Sequence, residues 1–176
     1  MKKLFLILLI TLLIGGCTRP AEREDYYIFS FDDFTIAPGY DDVEFMRLIF
    51  DVDLPETLEA QQQLKDREVY FWDSYLADID VRNDTKKAIE TKQATISRLV
   101  FYLSNYPNAA YKLSGIELKD SVKENCELFK GQYIERNGYA CAFGRNAGGD
   151  KNVVILYGDL FAIDQDKLDH IEIYVE

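Results

Sequence analysis

Ser121-Val-Lys-Glu-Asn-Cys126-Glu-Leu-Phe129-Lys-Gly131 reads as a complete short helix. Ser121 and Glu124, three residues apart, form a capping box that answers the free backbone N–H groups of a first turn. Val122, Cys126 and Phe129 share one face at i, i+4 and i+7. Gly131 supplies the stop. Tyr133–Arg136 and Tyr139–Phe143 follow as two strands around Asn137-Gly138, the strongest short hairpin signal in the chain. A helix with one apolar stripe beside strands with one apolar face implies that the two bury each other.

The same pattern is read upstream at an offset of about 79 residues, where Tyr40-Asp-Asp-Val43 faces Lys119-Asp-Ser-Val122 and Ile49-Phe50 faces Leu128-Phe129. Asp41 and Glu44 form the corresponding capping box. Val43, Met46, Ile49 and Phe50 give the apolar stripe. Pro55 suits the first turn of a second helix over Glu56–Lys65. Strands are expected at 28–31, 34–36, 69–72, 75–81, 95–104, 153–157 and 171–175. Within 75–82, Tyr75, Ala77, Ile79 and Val81 share the core side, and Leu76, Asp78, Asp80 and Arg82 the wet side. Asn105-Tyr-Pro-Asn108 is the best internal boundary. The expected fold class is therefore α+β: two tandem units, each a helix or helix pair packed on an antiparallel β-sheet, over residues 26–106 and 107–176.

Gly115-Ile-x-Leu-x-Asp-Ser-Val, with Tyr-Ala-Cys141-Ala-Phe-Gly144 after the Asn-Gly turn, resembles uncharacterised lipoproteins of gut Firmicutes. These in turn resemble the tandem helix-plus-sheet architecture of the beta-lactamase inhibitor protein and of small outer-membrane assembly lipoproteins. The resemblance covers roughly Phe34 to Glu176. Its motifs imply a fold and no chemistry. The first unit departs from it in having no Cys that matches Cys141.

The address is written at the other end. Lys2 and Lys3 precede an apolar run, Leu4–Ile14, broken only by Thr11. That run is shorter than the roughly 20 residues a membrane span requires and has the flanks of an export signal. Ile14-Gly-Gly-Cys17 resembles the bacterial lipobox, which implies cleavage before Cys17 and a diacylglyceryl thioether on its sulfur. Residues 1–16 are then a signal peptide and 17–25 a polar tether. An extracytoplasmic location on the cell membrane, held by lipid on Cys17, follows as the expectation.

Charge agrees with anchoring by lipid alone. The chain has 20 basic and 31 acidic residues, and two of the basic ones lie in the signal. Such a body repels nucleic acid and anionic lipid. Of three Cys, lipidation of Cys17 leaves Cys126 and Cys141, an even remainder that suggests a disulfide in an exported protein. Two buried free thiols are the alternative.

Candidate chemistry is sparse. His170 is the only histidine and lies on the outward face of the last strand with Glu172 and Tyr174. No nucleophile or orienting acid is marked beside it. Asp164, Asp166 and Asp169 imitate a calcium loop without its central Gly and distal Glu. Asp32-Asp33 and Asp41-Asp42 read as turns or caps. Asp78 and Asp80 imitate a glycosidase pair on a solvated strand face. Tyr70, Trp72, Tyr75 and Tyr102 form either core or an aromatic platform. No metal ligand set, cofactor motif or catalytic residue is assigned. The expected function is a non-enzymatic, protein-binding lipoprotein. A glycan-binding module, predicting an outward aromatic row, and a cell-envelope hydrolase, predicting a pocket with convergent acids, are the alternatives.

Overall fold

The computed structural model describes residues 21–47, 49–135, 138–147 and 149–176. The expected signal, Cys17 and the first part of the expected tether lie outside these, as do Arg136 and Asn137 of the expected hairpin. Among the described residues no helix is long and apolar enough to cross a membrane.

Among the described residues, fourteen strands account for most of the regular structure. In chain order they are β1 (Phe29–Phe31), β2 (Phe34–Ile36), β3 (Asp51–Val52), β4 (Thr57–Leu58), β5 (Gln63–Phe71), β6 (Ser74–Arg82), β7 (Ile89–Glu90), β8 (Thr95–Tyr102), β9 (Tyr111–Leu113), β10 (Ile116–Glu117), β11 (Gln132–Ile134), β12 (Ala140–Ala147), β13 (Asp150–Gly158) and β14 (Leu168–Val175). Among the described residues the α-helices are α1 (Val43–Arg47), barely one turn, and α2 (Val122–Phe129), beside three short 3-10 turns. An eight-stranded antiparallel sheet runs β11-β12-β13-β14-β8-β6-β5-β3. A smaller sheet runs β10-β9-β1-β2, and β4 pairs with β7.

The expected α+β fold of two tandem units, each a helix packed on its own sheet, is thereby overturned: the molecule is predominantly antiparallel β, and one sheet serves both halves. The seam explains why. β8 and β14 each carry a strongly apolar inner face, and each would end a separate sheet as an open edge. They pair instead, Ile171 opposite Phe101 and Ile173 opposite Leu99, which removes two aggregation-prone edges at once. The helix expected over 56–65 is also absent. That segment has too few apolar residues for a buried helical stripe, so it takes hydrogen bonds from strand pairing. Leu58 is fully buried opposite Ile89, and Leu64 lies opposite Val81.

The core lies between the large sheet and what covers its inner face. Ile79, Leu99, Phe101, Ile171, Ile173, Val154 and Leu156 line that face and are buried. The small sheet lies over its centre, with the Phe29 and Phe31 rings 4.8 and 5.2 Å from Phe101. α2 covers the flank at β12. Ser121 caps it by accepting from the Glu124 N–H at 3.1 Å, and Lys130 ends it in the left-handed conformation. The Phe129 ring stacks on Phe143 at 4.9 Å. Cys126 and Cys141 are joined by a disulfide, Cα to Cα 5.4 Å, that fixes α2 to β12. Gly131 runs so close that a Cβ there would meet the Cys141 sulfur at 2.5 Å.

Residues 21–28 and 37–38, flanking β1 and β2, close one end of the large sheet. Tyr26, Ala37, Ala147 and Val175 form a small second cluster there, with Ala21 against it. The fully buried Asn152 accepts from the Tyr27 N–H at 2.7 Å. Asp41, expected as a helix cap, instead takes the Ala37 N–H at 2.7 Å and an ion pair from Arg23 at 2.8 Å.

Candidate functional site

The outer face of the large sheet is built by strand parity. Once Leu99, Phe101, Ile171 and Ile173 point inward, Arg98, Tyr102, His170, Glu172 and Tyr174 must point outward. Cross-strand register then sets Tyr157, His170 and Tyr102 side by side on β13, β14 and β8. Tyr75 and Tyr70 continue the line on β6 and β5. The successive ring centroids are 4.5, 5.5, 5.4 and 5.8 Å apart, one half-buried row across five strands.

Tyr75 belongs to this row against the alternation read from sequence. The pairing slips between Val69/Ala77 and Tyr70/Tyr75, leaving Leu76 as the extra residue of a bulge. Leu76 is buried and Tyr75 turns outward. Both sides of that expectation are thus exchanged at the bulge.

The row's phenols end on carboxylates. Tyr75 Oη donates to Asp78 Oδ2 at 2.7 Å and Tyr102 Oη to the same oxygen at 3.4 Å. Tyr157 Oη donates to Glu172 at 3.1 Å and Tyr70 Oη to Glu68 at 2.7 Å. Burial, and then the Glu172 charge and bond, push the Tyr157 phenol up to about 12. Burial first, and the Asp78 bond second, raise Tyr75 well above the ordinary phenol range. Arg98 closes the network, with Nε on Glu172 at 2.6 Å, Nη1 on Asp66 at 2.9 Å and Asp80 at 3.6 Å. Burial works against the Arg98 charge, and these carboxylates outweigh it and hold the guanidinium protonated.

Two apolar tips flank the row at the same end of the sheet. Trp72, on the β5–β6 turn, is 85% exposed. Phe161 and Ile163, on the β13–β14 connection, are fully exposed, and Leu160 is about half so. Sequence reading singled out Trp72 but not Leu160, Phe161, Ile163, Tyr157 or Arg98. The available signal was an apolar run set inside a polar loop, Gly158-Asp-Leu-Phe-Ala-Ile-Asp164.

The remaining candidates are dispersed. His170 Nδ1 lies 2.9 Å from Asp169 Oδ2, and its ring lies between those of Tyr157 and Tyr102. Asp80 is nearly buried and accepts the Asp66 N–H at 2.9 Å, so the Asp78–Asp80 pair is not a solvated face. Asp166 accepts from the Ser121 hydroxyl, the Lys123 N–H and the Tyr133 hydroxyl, anchoring the β13–β14 loop to the start of α2. Asp164 accepts the Asp166 N–H and Asp32 the Ala110 N–H. Among the described residues no group of three or more His, Cys, Asp or Glu converges as a metal site.

Comparison with known proteins gives no match to any family model, to any curated protein or to any solved structure.

Proposed function

We propose that this chain is a non-enzymatic, lipid-anchored lipoprotein that docks another protein at the end of its large sheet. The observation that carries the proposal is Trp72 together with Phe161 and Ile163, large apolar side chains held in water on either side of an ordered tyrosine row. Exposed apolar area costs about 25 cal/mol per Å², and a partner that covers it recovers that energy. Trp and Tyr, rigid and amphipathic, are the residues on which docking energy concentrates.

The glycan alternative has the row itself in its favour. Part of the row's ring surface, however, is spent within the row. Tyr157 and His170 stack with their planes 16° apart, and the Tyr102 and Tyr75 planes are 39° apart. A sugar needs a ring face open to solvent. A hydrolase has less support, because Asp78, Asp80 and Glu172 are all occupied by phenols, a backbone N–H or Arg98. Anchoring through Cys17 at the extracytoplasmic face of the cell membrane completes the proposal, since the acidic body offers anionic lipid no attraction. The same charge argues against nucleic acid as a partner.

The test is crosslinking in the native envelope of the lipid-bearing chain and of a Trp72→Ser/Phe161→Ser variant. The expected result is one stoichiometric polypeptide adduct that the double variant loses while its unfolding midpoint stays unchanged. Retention on cell-wall polysaccharide, lost in Tyr102→Ala and kept in the double variant, would replace protein docking with the glycan reading. Cys17→Ser is expected to release the body into the medium.

A further inference from the structure

An apolar groove of about 660 Å³ opens beside the Trp72 turn. That is within the ~300–1,000 Å³ typical of binding clefts. Its wall is a run of rings in contact. Phe34 meets Phe50 at 4.7 Å, Phe50 meets Phe71 at 5.7 Å, and Phe71 meets Trp72 at 6.3 Å. Tyr106 closes the far side against Phe31 at 5.4 Å. The groove is thus continuous with the docking end. Its charge is one-sided. Asp32 and Asp33, at the tip of the β1–β2 hairpin, are both exposed at its lip, and among the described residues no Lys or Arg lines it. Asp32 spends one oxygen on the Ala110 N–H. Asp33 has no ion pair among the described residues.

We propose that this groove receives an apolar side chain of the partner protein followed directly by a lysine or arginine, the ring or branch entering between the phenylalanines and the cation meeting Asp32 and Asp33. The proposal rests on the docking function above and adds to it the chemistry of the docked segment. Apolar walls alone would accept any hydrophobic residue. The two carboxylates at the lip, in a chain of net charge −11, select a basic neighbour and repel an acidic one.

The test is amide-shift mapping on the full-length protein with three capped peptides, Gly-Phe-Lys-Gly, Gly-Phe-Glu-Gly and Gly-Ser-Lys-Gly, and with phenethylammonium. The Phe-Lys peptide is expected to shift residues 31–34, 49–50 and 105–109 saturably. The Phe-Glu peptide should bind several-fold more weakly, and the Ser-Lys peptide should leave those residues unmoved. Asp33→Lys, at an exposed turn position, offsets the charge of Asp32 and should abolish the Lys-over-Glu preference. Equal affinity for the Lys and Glu peptides, or no shift from either, overturns the proposal. Phenethylammonium binding as tightly as the Phe-Lys peptide overturns the assigned occupant in favour of a small amphiphilic cation. Shifts confined to Tyr75 and Tyr102 overturn the groove and leave the docking end standing. A Lys-selective groove in a chain whose crosslinked adduct survives Trp72→Ser/Phe161→Ser retains the groove and removes the wider docking reading.

Discussion

The two faces of the eight-stranded sheet are made by the same strands in the same register, yet they are held by different forces. On the inner face Ile79, Leu99, Phe101, Ile171 and Leu156 exclude water together, and no partner is specified beyond shape. On the outer face Asp78, Arg98, Tyr102, Glu172 and Tyr157 are each tied to a named atom of a neighbour. The inner face therefore stores stability that any apolar residue of similar volume would restore. The outer face stores a fixed pattern of donors, acceptors and ring edges, and adds less to stability. Phenols that bond carboxylates within the face hold it rigid, so that a partner meets a preformed surface.

The largest expected effect is on the inner face. Phe101→Ala removes the ring on which Phe29, Phe31 and Tyr111 all rest and should cost about 3–5 kcal/mol in denaturant unfolding. A loss under about 1 kcal/mol would mean that the small sheet adds little to the core. Next comes the disulfide that clamps α2 to that face. Replacing Cys126 and Cys141 together with Ser opens a link across 15 residues and should cost about 3 kcal/mol.

Arg98→Met probes the outer face and leaves Glu172, Asp80 and Asp66 without their shared cation. Because solvent reaches the guanidinium, the expected loss is about 1–2 kcal/mol. Adding Glu172→Gln should recover part of it, which a double-mutant cycle measures. Full additivity of the two would make the network a set of independent contacts.

The smallest effect appears only in alkali. The folded chain holds the Tyr157 proton up to about 12, against 10.0 for an ordinary phenol. Its contribution to stability is thus whole below pH 10 and is lost as pH rises through 12. Tyr75 and Tyr102 shift in the same direction. Tyrosinate absorbance followed beside unfolding should show these phenols ionising late, with stability falling over the same window. Ionisation of every tyrosine near pH 10 would mean that the phenol–carboxylate bonds do not persist in solution.

Much of the inner face was legible in the sequence. The Ser121 cap, the Val122/Cys126/Phe129 stripe and the apolar alternation of β8 and β14 are short-range patterns that state their own geometry. What escaped depends on events between distant residues. Nothing local announces that β8 will pair with β14, so the sequence reads as two sheets and the protein makes one. Nothing near Tyr75 shows the slip at Leu76, because a bulge is fixed by the partner strand's register. The short strand β9 exists because β1 offers it an edge, and β10 because β9 then offers another. The outer row was legible only in part: the sequence offers Tyr70, Tyr75 and Tyr102 as core or platform and His170 as outward, but their alignment with Tyr157 across five strands depends on register between distant segments.

The position of residues 21–28 has a geometric consequence. They sit by Asn152, Ala147 and Val175, whereas Trp72 and Phe161 lie past Tyr102 and His170, a full strand length away. The described chain therefore begins at one pole, and the bare indole and phenyl rings stand at the other; the proposed acylation lies four residues before that start. A body mounted in that way carries its sticky rim outward, clear of its own bilayer and within reach of whatever passes above it.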